Sequence, residues 1–248
     1  MFRRRLVVAL VITLVAGVAY AVYSLRIEQI RVTGLRTLDP KQVIEQSGLR
    51  GGERILWVRL SAVVRRLEEI PAVASATAER SFPQTVVIHV RERTPIARLD
   101  APAQLAVDGR GRLFSSSAAA KLPVVEGIRG TVRAGATVER DARVVLGAFS
   151  VFPESLRTRT ARIAVGPPVV LLLTDGTEVR FGSLADLDRK ARVAEAILRA
   201  EVGQELAYVD VRSPSVPVSR KREPPTPAPT AGAPASPTAA TPTATAAP

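Results

Sequence analysis

The stretch VASATAERSFPQTVVIHVRER, from Val73 to Arg93, predicts a β-hairpin. Its arms run from Val73 to Arg80 and from Thr85 to Arg93, with Phe82-Pro83-Gln84 between them. Successive side chains of a strand point to opposite faces. In the second arm, one face carries Val86, Ile88 and Val90, and the other carries Val87, His89 and Arg91. The chain's only histidine is therefore expected on an exposed face and not as a ligand.

The residues before this hairpin predict one strand and two short helices. Ile27 to Val32 alternates apolar and polar residues, as a half-buried strand does. Asp39-Pro40 supplies a helix N-cap followed by proline, and Gly48 stands where that helix ends. Ser61 is expected to cap the second helix, whose apolar residues recur with helical spacing. From about Leu25 to Arg93 the predicted order is β-α-α-β-β, an α+β layer around a small sheet.

A long apolar segment, LVVALVITLVAGVAYAVY, runs from Leu6 to Tyr23. As a helix it would span about 27 Å, close to the hydrocarbon thickness of a bilayer. Arg3 to Arg5 precede it, so the positive-inside bias places residues 1–5 in the cytoplasm and the rest of the chain outside. A cleaved signal peptide is the alternative, since Ala19-Tyr20-Ala21 resembles a cleavage site. The apolar run is longer than a signal core, which favours an uncleaved transmembrane helix.

From Pro95 onward the pattern is mainly β. Asp108-Gly109 predicts the turn of one hairpin, and Asp175-Gly176 predicts the turn of a second hairpin over Val169 to Phe181. Between the two hairpins, Arg140 to Phe152 favours a helix and Ala161 to Val165 a strand.

The C-terminal part predicts a helix, a strand and a tail. The helix runs from Leu184 to Val202 with Ser183 as its cap, and Leu206 to Arg212 alternates as a final strand. Ser213 to Pro248 consists mainly of Pro, Ala, Thr and Ser. Such a composition buries too little apolar area to offset the ordering entropy, so this tail is expected to be disordered.

The composition excludes several kinds of chemistry. The 248 residues include no cysteine and one histidine, which excludes thiolate sites, disulfides and multi-histidine metal sites. No G-x-S-x-G motif occurs, and we assign no catalytic residue, metal or cofactor, although paired carboxylates stay open because their separation is a three-dimensional property. The net charge is +12, but most of the basic residues alternate along the chain with acidic ones. This distribution indicates a mixed surface compatible with anionic lipid and not a nucleic-acid site.

Eight short motifs, in this order and spacing, resemble the FtsQ/DivIB family of cell division proteins. They are IRVTGL (Ile30 to Leu35), SGLRGG (Ser47 to Gly52), LEEIPAV (Leu67 to Val73), AERSFP (Ala78 to Pro83), VRERTPIA (Val90 to Ala97), VDGRGRLF (Val107 to Phe114), LPVVEG (Leu122 to Gly127) and YVDVR (Tyr208 to Arg212). The resemblance covers most of Leu6 to Arg212 and implies a transmembrane helix (residues 6–23), a POTRA-like domain (25–93) and a β domain (94–212). The chain departs from the family at both ends, with a short cytoplasmic segment (1–5) and a tail (213–248) that matches no family pattern.

The resemblance also implies a division scaffold and not an enzyme. Family members lie in the cytoplasmic membrane at the division septum, where they link early and late division proteins. They bind small single-span proteins of the FtsB/DivIC and FtsL types, with the septal peptidoglycan synthesis machinery downstream. The alternative is a POTRA-bearing envelope protein that serves secretion or assembly, although such proteins usually carry several POTRA copies or a following barrel.

The predicted partner site is the strand from Leu206 to Arg212. With no folded sequence expected after it, one edge would offer unpaired N–H and C=O groups to a partner strand. In the family, the partner is held beside the last strand and the helix before it. The resemblance therefore implies a binding set of Tyr208, Val209, Asp210, Val211, Arg212 and, on the helix, Lys190. Burial of Val209 and Val211 in the core is the alternative, because alternation buries one face of a strand.

Overall fold

The computed structural model of the chain describes residues 2–100 and 105–222. It begins with one long apolar helix, α1 (Phe2–Tyr23). Within the described residues, the segment Leu6–Tyr23 of this helix is the one span long and apolar enough to cross a membrane. None of that segment is buried inside the protein, as expected for side chains that face lipid.

A small α+β domain follows, in the predicted order β-α-α-β-β. Its elements are β1 (Gln29–Thr33), α2 (Pro40–Ser47), a 3₁₀ turn (Ile55–Trp57), α3 (Leu60–Glu68), β2 (Val73–Ser81) and β3 (Thr85–Glu92). The central strand β3 is antiparallel to β2, which confirms the predicted hairpin, and parallel to β1. The largest fully buried side chains of this domain are Ile27, Ile55, Leu67 and Ile88.

Local signals explain one of the two helix starts in this domain. The carboxylate of Asp39 accepts a hydrogen bond from the N–H of Lys41 at 3.0 Å, and Gly48 ends α2 at a φ of 69°. The expectation for Ser61 was wrong, because the cap position of α3 is Arg59, two residues earlier, and no side chain caps this helix. Tertiary packing of its apolar face therefore sets where this helix begins. His89 lies on the exposed face, as predicted.

The second domain is built on one nine-stranded sheet. Its strands are β4 (Ala97–Leu99), β5 (Leu105–Val107), β6 (Leu113–Ser115), β7 (Val124–Glu126), β8 (Thr160–Ala164), β9 (Val169–Leu173), β10 (Glu178–Gly182), β11 (Leu206–Asp210) and β12 (Val218–Lys221). The spatial order is β12-β11-β10-β9-β8-β7-β4-β5-β6. The antiparallel pairs β5–β6 and β9–β10 confirm the two predicted hairpins.

A 3₁₀ turn (Ser117–Lys121) and three α-helices complete the described part of this domain, and the helices are α4 (Arg140–Val151), α5 (Glu154–Arg159) and α6 (Leu187–Ala200). They contribute buried side chains to a single core with the strands, including Leu146, Phe149, Leu156 and Ala191. The expected start of the last helix was wrong. It begins at Leu187, after Asp186 in a left-handed conformation (φ 54°), and no side chain caps it. The chain therefore makes its turn into α6 three residues later than the Ser183 signal predicted.

Candidate partner-binding edge

Strand β11 lies inside the sheet and not at its edge. It pairs in parallel with β10, where Val179 is opposite Val209, and antiparallel with β12, where Ser219 is opposite Val209. The expectation that Leu206 to Arg212 has an uncovered edge was therefore wrong. The covering strand, Val218–Lys221, falls within the stretch expected to be disordered, whose residues 223–248 lie outside the described residues. Its sequence VSRK is short and polar, so it gives no apolar strand pattern.

Side-chain and backbone contacts hold β12 in place. The hydroxyl of Ser219 donates to the carboxylate of Glu201 at 2.6 Å. Just after β12, the N–H of Arg222 donates to the carbonyl of Glu205 at 2.7 Å, and its guanidinium donates to the carbonyl of Asp175 at 3.3 Å. In the described part of the sheet, β12 is the edge strand at one end, with β11 on one side, and β6 is the edge strand at the other end.

The two valines of the predicted binding set belong to the core of the second domain. Val209 and Val211 are both fully buried, in the same core as α6. The structure thus agrees with the alternative that both are core residues. Their side chains cannot touch a partner unless the core unfolds. Their burial nevertheless fixes strand β11, and with it the positions of Tyr208 and Asp210.

The other face of β10 and β11 carries a polar row. Glu178 is opposite Tyr208 and Arg180 is opposite Asp210 in the parallel register. The guanidinium of Arg180 lies 4.2 Å from the centre of the Tyr208 ring and donates to Glu178 at 2.7 Å. This cation–π contact holds the half-buried tyrosine ring against the sheet. Sequence reasoning missed Arg180, because only the strand register brings it to Tyr208.

Asp210 fixes the position of Arg212. The carboxylate of Asp210 accepts the backbone N–H of Arg212 at 3.0 Å and its Nε–H at 2.9 Å. Burial alone would raise the pKa of Asp210, but the hydrogen bonds from Arg212 and the charges of Arg212 and Arg180 outweigh it and lower that pKa. The Arg212 side chain remains largely exposed at the end of β11. It is therefore a positioned cation at the surface beside β12.

Lys190 faces inward, unlike the surface contact that the resemblance implied. It is 3% exposed, and its ammonium donates to the carbonyl of Phe181 at 2.9 Å and to the carbonyl and hydroxyl of Ser183 at 3.2 Å. These bonds tie α6 to the end of β10. Three acceptors offset the desolvation cost of the buried ammonium, so Lys190 makes contacts inside the domain and not at its surface.

Comparison with known proteins gives matches along both folded domains. The profile "POTRA domain, FtsQ-type" matches residues 25–93, and the profile "Cell division protein FtsQ/DivIB, C-terminal" matches residues 97–212. A cell division protein FtsQ from Streptomyces collinus is 31% identical over 226 residues, which cover 85% of each chain. The chain belongs to the FtsQ/DivIB family of cell division proteins.

Two further FtsQ proteins are similar to the chain. The one from Corynebacterium glutamicum is 29% identical over 206 residues, covering 79% of this chain and 88% of the relative. The one from Anaeromyxobacter sp. (strain K) is 30% identical over 186 residues, covering 71% and 63%. The predicted fold class is confirmed: an apolar N-terminal helix, an FtsQ-type POTRA domain and a β-rich C-terminal domain. The helix of this FtsQ/DivIB chain fits a single-pass membrane protein.

The FtsQ/DivIB C-terminal profile ends at residue 212, before β12 begins at Val218. Near residue 212 the half-buried ring of Tyr208 and the Asp210–Arg212 ion pair lie beside the edge strand β12. These groups can bind a protein segment by backbone pairing and polar contacts. The described residues contain no group of three His, Cys, Asp or Glu side chains that could hold a metal ion.

Proposed function

We propose that the chain is a non-catalytic scaffold of the septal division machinery. In this proposal residues 1–5 lie in the cytoplasm and both folded domains lie outside it, as the arginines before the apolar span Leu6–Tyr23 favour. The folded domains link early and late division proteins at the septum. The observation that supports this best is an apolar helix long enough to cross a membrane, followed in the same chain by the two domains of the FtsQ/DivIB family.

The partners in this proposal are small single-span proteins of the FtsB/DivIC and FtsL types, with the septal peptidoglycan synthesis machinery downstream. The proposed contact is strand addition at the outer side of β12, with Tyr208, Asp210 and Arg212 as the neighbouring polar face. The support is the order of the sheet, in which β12 has β11 on one side and no described strand on the other. An outer strand of this kind is the usual template for β-augmentation.

Localisation during growth tests the proposed role. A fluorescent fusion, combined with depletion of the native protein, is expected to give a midcell band and filamentous or branched cells on depletion. A uniform envelope signal with normal septa would overturn the proposal. It would instead favour the POTRA-bearing protein of secretion or assembly.

Site-specific photo-crosslinking tests the proposed contact. A photoreactive amino acid at Val218 in β12 is expected to capture a small single-span division protein in living cells. The same group at Val144 on α4 is the matched control, because both valines have exposed side chains in the second domain. Equal capture at the two positions, or capture at Val144 alone, would place the contact elsewhere in the chain.

A further inference from the structure

The POTRA domain exposes large apolar side chains at one end only. In its described residues 25–93, three such side chains are exposed: Leu56 (39%), Trp57 (67%) and Phe82 (58%). Leu56 and Trp57 belong to the 3₁₀ turn, whose Ile55 N–H donates to the carbonyl of Leu25 just after α1 at 3.1 Å. All three side chains thus belong to turns, where no packing within the domain covers them.

The turn that carries Phe82 lies at this same end. It joins β2 to β3, and its Gln84 carbonyl accepts the N–H of Glu28, just before β1, at 2.9 Å. The amide of Gln84 also donates to the carboxylate of Glu28 at 2.6 Å. Both turns therefore flank the short segment by which the chain leaves α1.

Trp57 touches the end of the membrane helix itself. Its ring meets the ring of Tyr23 edge to face, with the two centres 6.0 Å apart. Arg54 lies between the POTRA domain and α1. Its guanidinium is 4.4 Å from the centre of the Tyr23 ring and donates a hydrogen bond to the Tyr23 hydroxyl. Tyr23 is the last residue of the apolar span, where aromatic rings favour the headgroup level. Trp57 therefore stands at the height at which the hydrocarbon ends.

Hydrogen bonds hold the turn that carries Trp57 on two sides. The guanidinium of Arg80 donates to the carbonyl of Ile55 at 2.8 Å and to that of Val58 at 2.6 Å. On the opposite side, Ile27 exchanges backbone hydrogen bonds with Gly52 and Glu53, each of 2.8 Å. The backbone that carries Trp57 is thus held in place before any contact forms, which lowers the entropic cost of binding.

The chain segments at the Trp57 turn carry a net positive charge. Residues 24–28 and 50–59 contain four arginines and two glutamates, and all four arginines are exposed: Arg26, Arg50, Arg54 and Arg59. These four arginines near the Trp57 turn, called the arginine rim, are complementary to anionic headgroups above a hydrocarbon boundary.

We propose that this end of the POTRA domain docks on the bilayer that α1 crosses, with Trp57, Leu56 and Phe82 in the headgroup region and the arginine rim on anionic lipid. The docking fixes the orientation of the domain relative to the membrane surface. It requires only that α1 spans the membrane and does not depend on the proposed role in division.

The chain's single tryptophan makes the proposal directly measurable. The full chain is reconstituted in vesicles that contain brominated phosphatidylcholine, with or without phosphatidylglycerol. Emission from Trp57 is expected to be quenched by the brominated lipid, more strongly when the anionic lipid is present. The matched control carries Trp57→Phe with Val202→Trp, since Val202 is 78% exposed in the second domain. Its emission is expected to be insensitive to the brominated lipid.

A second variant separates docking from mere closeness to the membrane. Arg50→Gln is expected to lower the ratio of docked to undocked domains about fivefold in anionic vesicles, from the attraction of one basic residue to the surface. It is expected to change nothing in neutral vesicles. Quenching equal to that of the Val202→Trp control would overturn the proposal. A Trp57 shielded from acrylamide yet unquenched by brominated lipid would also overturn it, because protein would then cover the ring.

Discussion

Arg93 and Asp108 form a partly buried ion pair that joins the two domains, with Nη1 2.8 Å from Oδ2. The two side chains are 16% and 10% exposed. Arg93 follows the last POTRA strand, and its Nε–H also donates to the carbonyl of Pro71 at 3.0 Å. The second oxygen of Asp108 accepts the N–H groups of Arg110 and Arg112, each at 2.9 Å. One carboxylate thus shapes the β5–β6 turn and fixes the POTRA domain against it.

Removal of this carboxylate is expected to destabilise the protein strongly. Asp108→Ala removes the acceptor of the partly buried Arg93 guanidinium and of two N–H groups in the β5–β6 turn. We expect this to lower the free energy of unfolding by about 3 kcal/mol. Asp100→Ala is the matched control, because Asp100 is 77% exposed and 3.9 Å from Arg98. That change should cost less than about 0.5 kcal/mol. Denaturant titration of the full chain in detergent measures both, and equal costs would contradict the linking role of Asp108.

Glu92 makes the stability of the POTRA domain depend on pH. Burial alone would raise the pKa of its carboxyl, but the Thr37 hydroxyl and the N–H groups of Arg36, Leu38 and Thr37 outweigh it and lower the pKa from 4.5 to about 2. A lowered pKa in the folded state stabilises the fold above the unfolded pKa of about 4.5. This contribution is lost as the pH falls through about 2.

The expected result is a stability difference between the native chain and Glu92→Gln that is largest near neutral pH and shrinks between about pH 4.5 and pH 2. Denaturant midpoints at a series of pH values measure it. Glu69→Gln, at an exposed position at the end of α3, serves as the control. If the stability difference between the native chain and Glu92→Gln does not change with pH, the hydrogen-bond donors around Glu92 do not stabilise its negative charge.

Gly34 and Gly52 share a backbone conformation but not an environment. Both have a φ of 84°, and a Cβ on Gly34 would lie 2.1 Å from the carbonyl oxygen of Val90, whereas one on Gly52 would meet nothing within 4 Å. Gly52→Ala is expected to cost about 1–2 kcal/mol from the left-handed conformation alone. Gly34→Ala adds a backbone clash worth about another 1–3 kcal/mol. Thermal unfolding compares the two, and similar losses would mean that the chain around Gly34 relaxes freely.

Val209 and Val218 allow the same substitution to be compared on neighbouring strands. Val209 is fully buried and Val218 is half exposed. Val209→Ala is expected to cost about 2 kcal/mol of stability, because it removes buried methyl groups and leaves a cavity. Val218→Ala should cost less than about 0.5 kcal/mol.

Unfolding midpoints in detergent distinguish the two variants. A Val218→Ala loss as large as that of Val209→Ala would show that β12 is packed more tightly than its exposure indicates. Val209→Pro is a different change, because β11 has a strand on both sides. A proline there removes a backbone donor within the sheet, so we expect it to unfold the second domain.

The sequence alone was sufficient wherever local chemistry decides structure. The apolar run of α1, the cap at Asp39, the left-handed glycine at Gly48 and the Asp-Gly hairpin turns each act within a few residues. Their signals therefore predicted the anchor, the β-α-α-β-β order and both hairpins of the second domain. The FtsQ/DivIB resemblance rested on eight short motifs, of which two contain Gly48 and Asp108-Gly109.

Only the tertiary structure decided the edge of the second domain. The polar segment VSRK has no apolar alternation, and it forms β12 because the backbone of β11 offers it unpaired groups. The positions of Lys190 and Arg180 also depend on the tertiary structure. Lys190 turns inward because three acceptors surround its ammonium. Arg180 reaches Tyr208 only through the parallel register of β10 and β11. Contacts between residues far apart in sequence depend on which groups the fold brings together, and no local pattern records that.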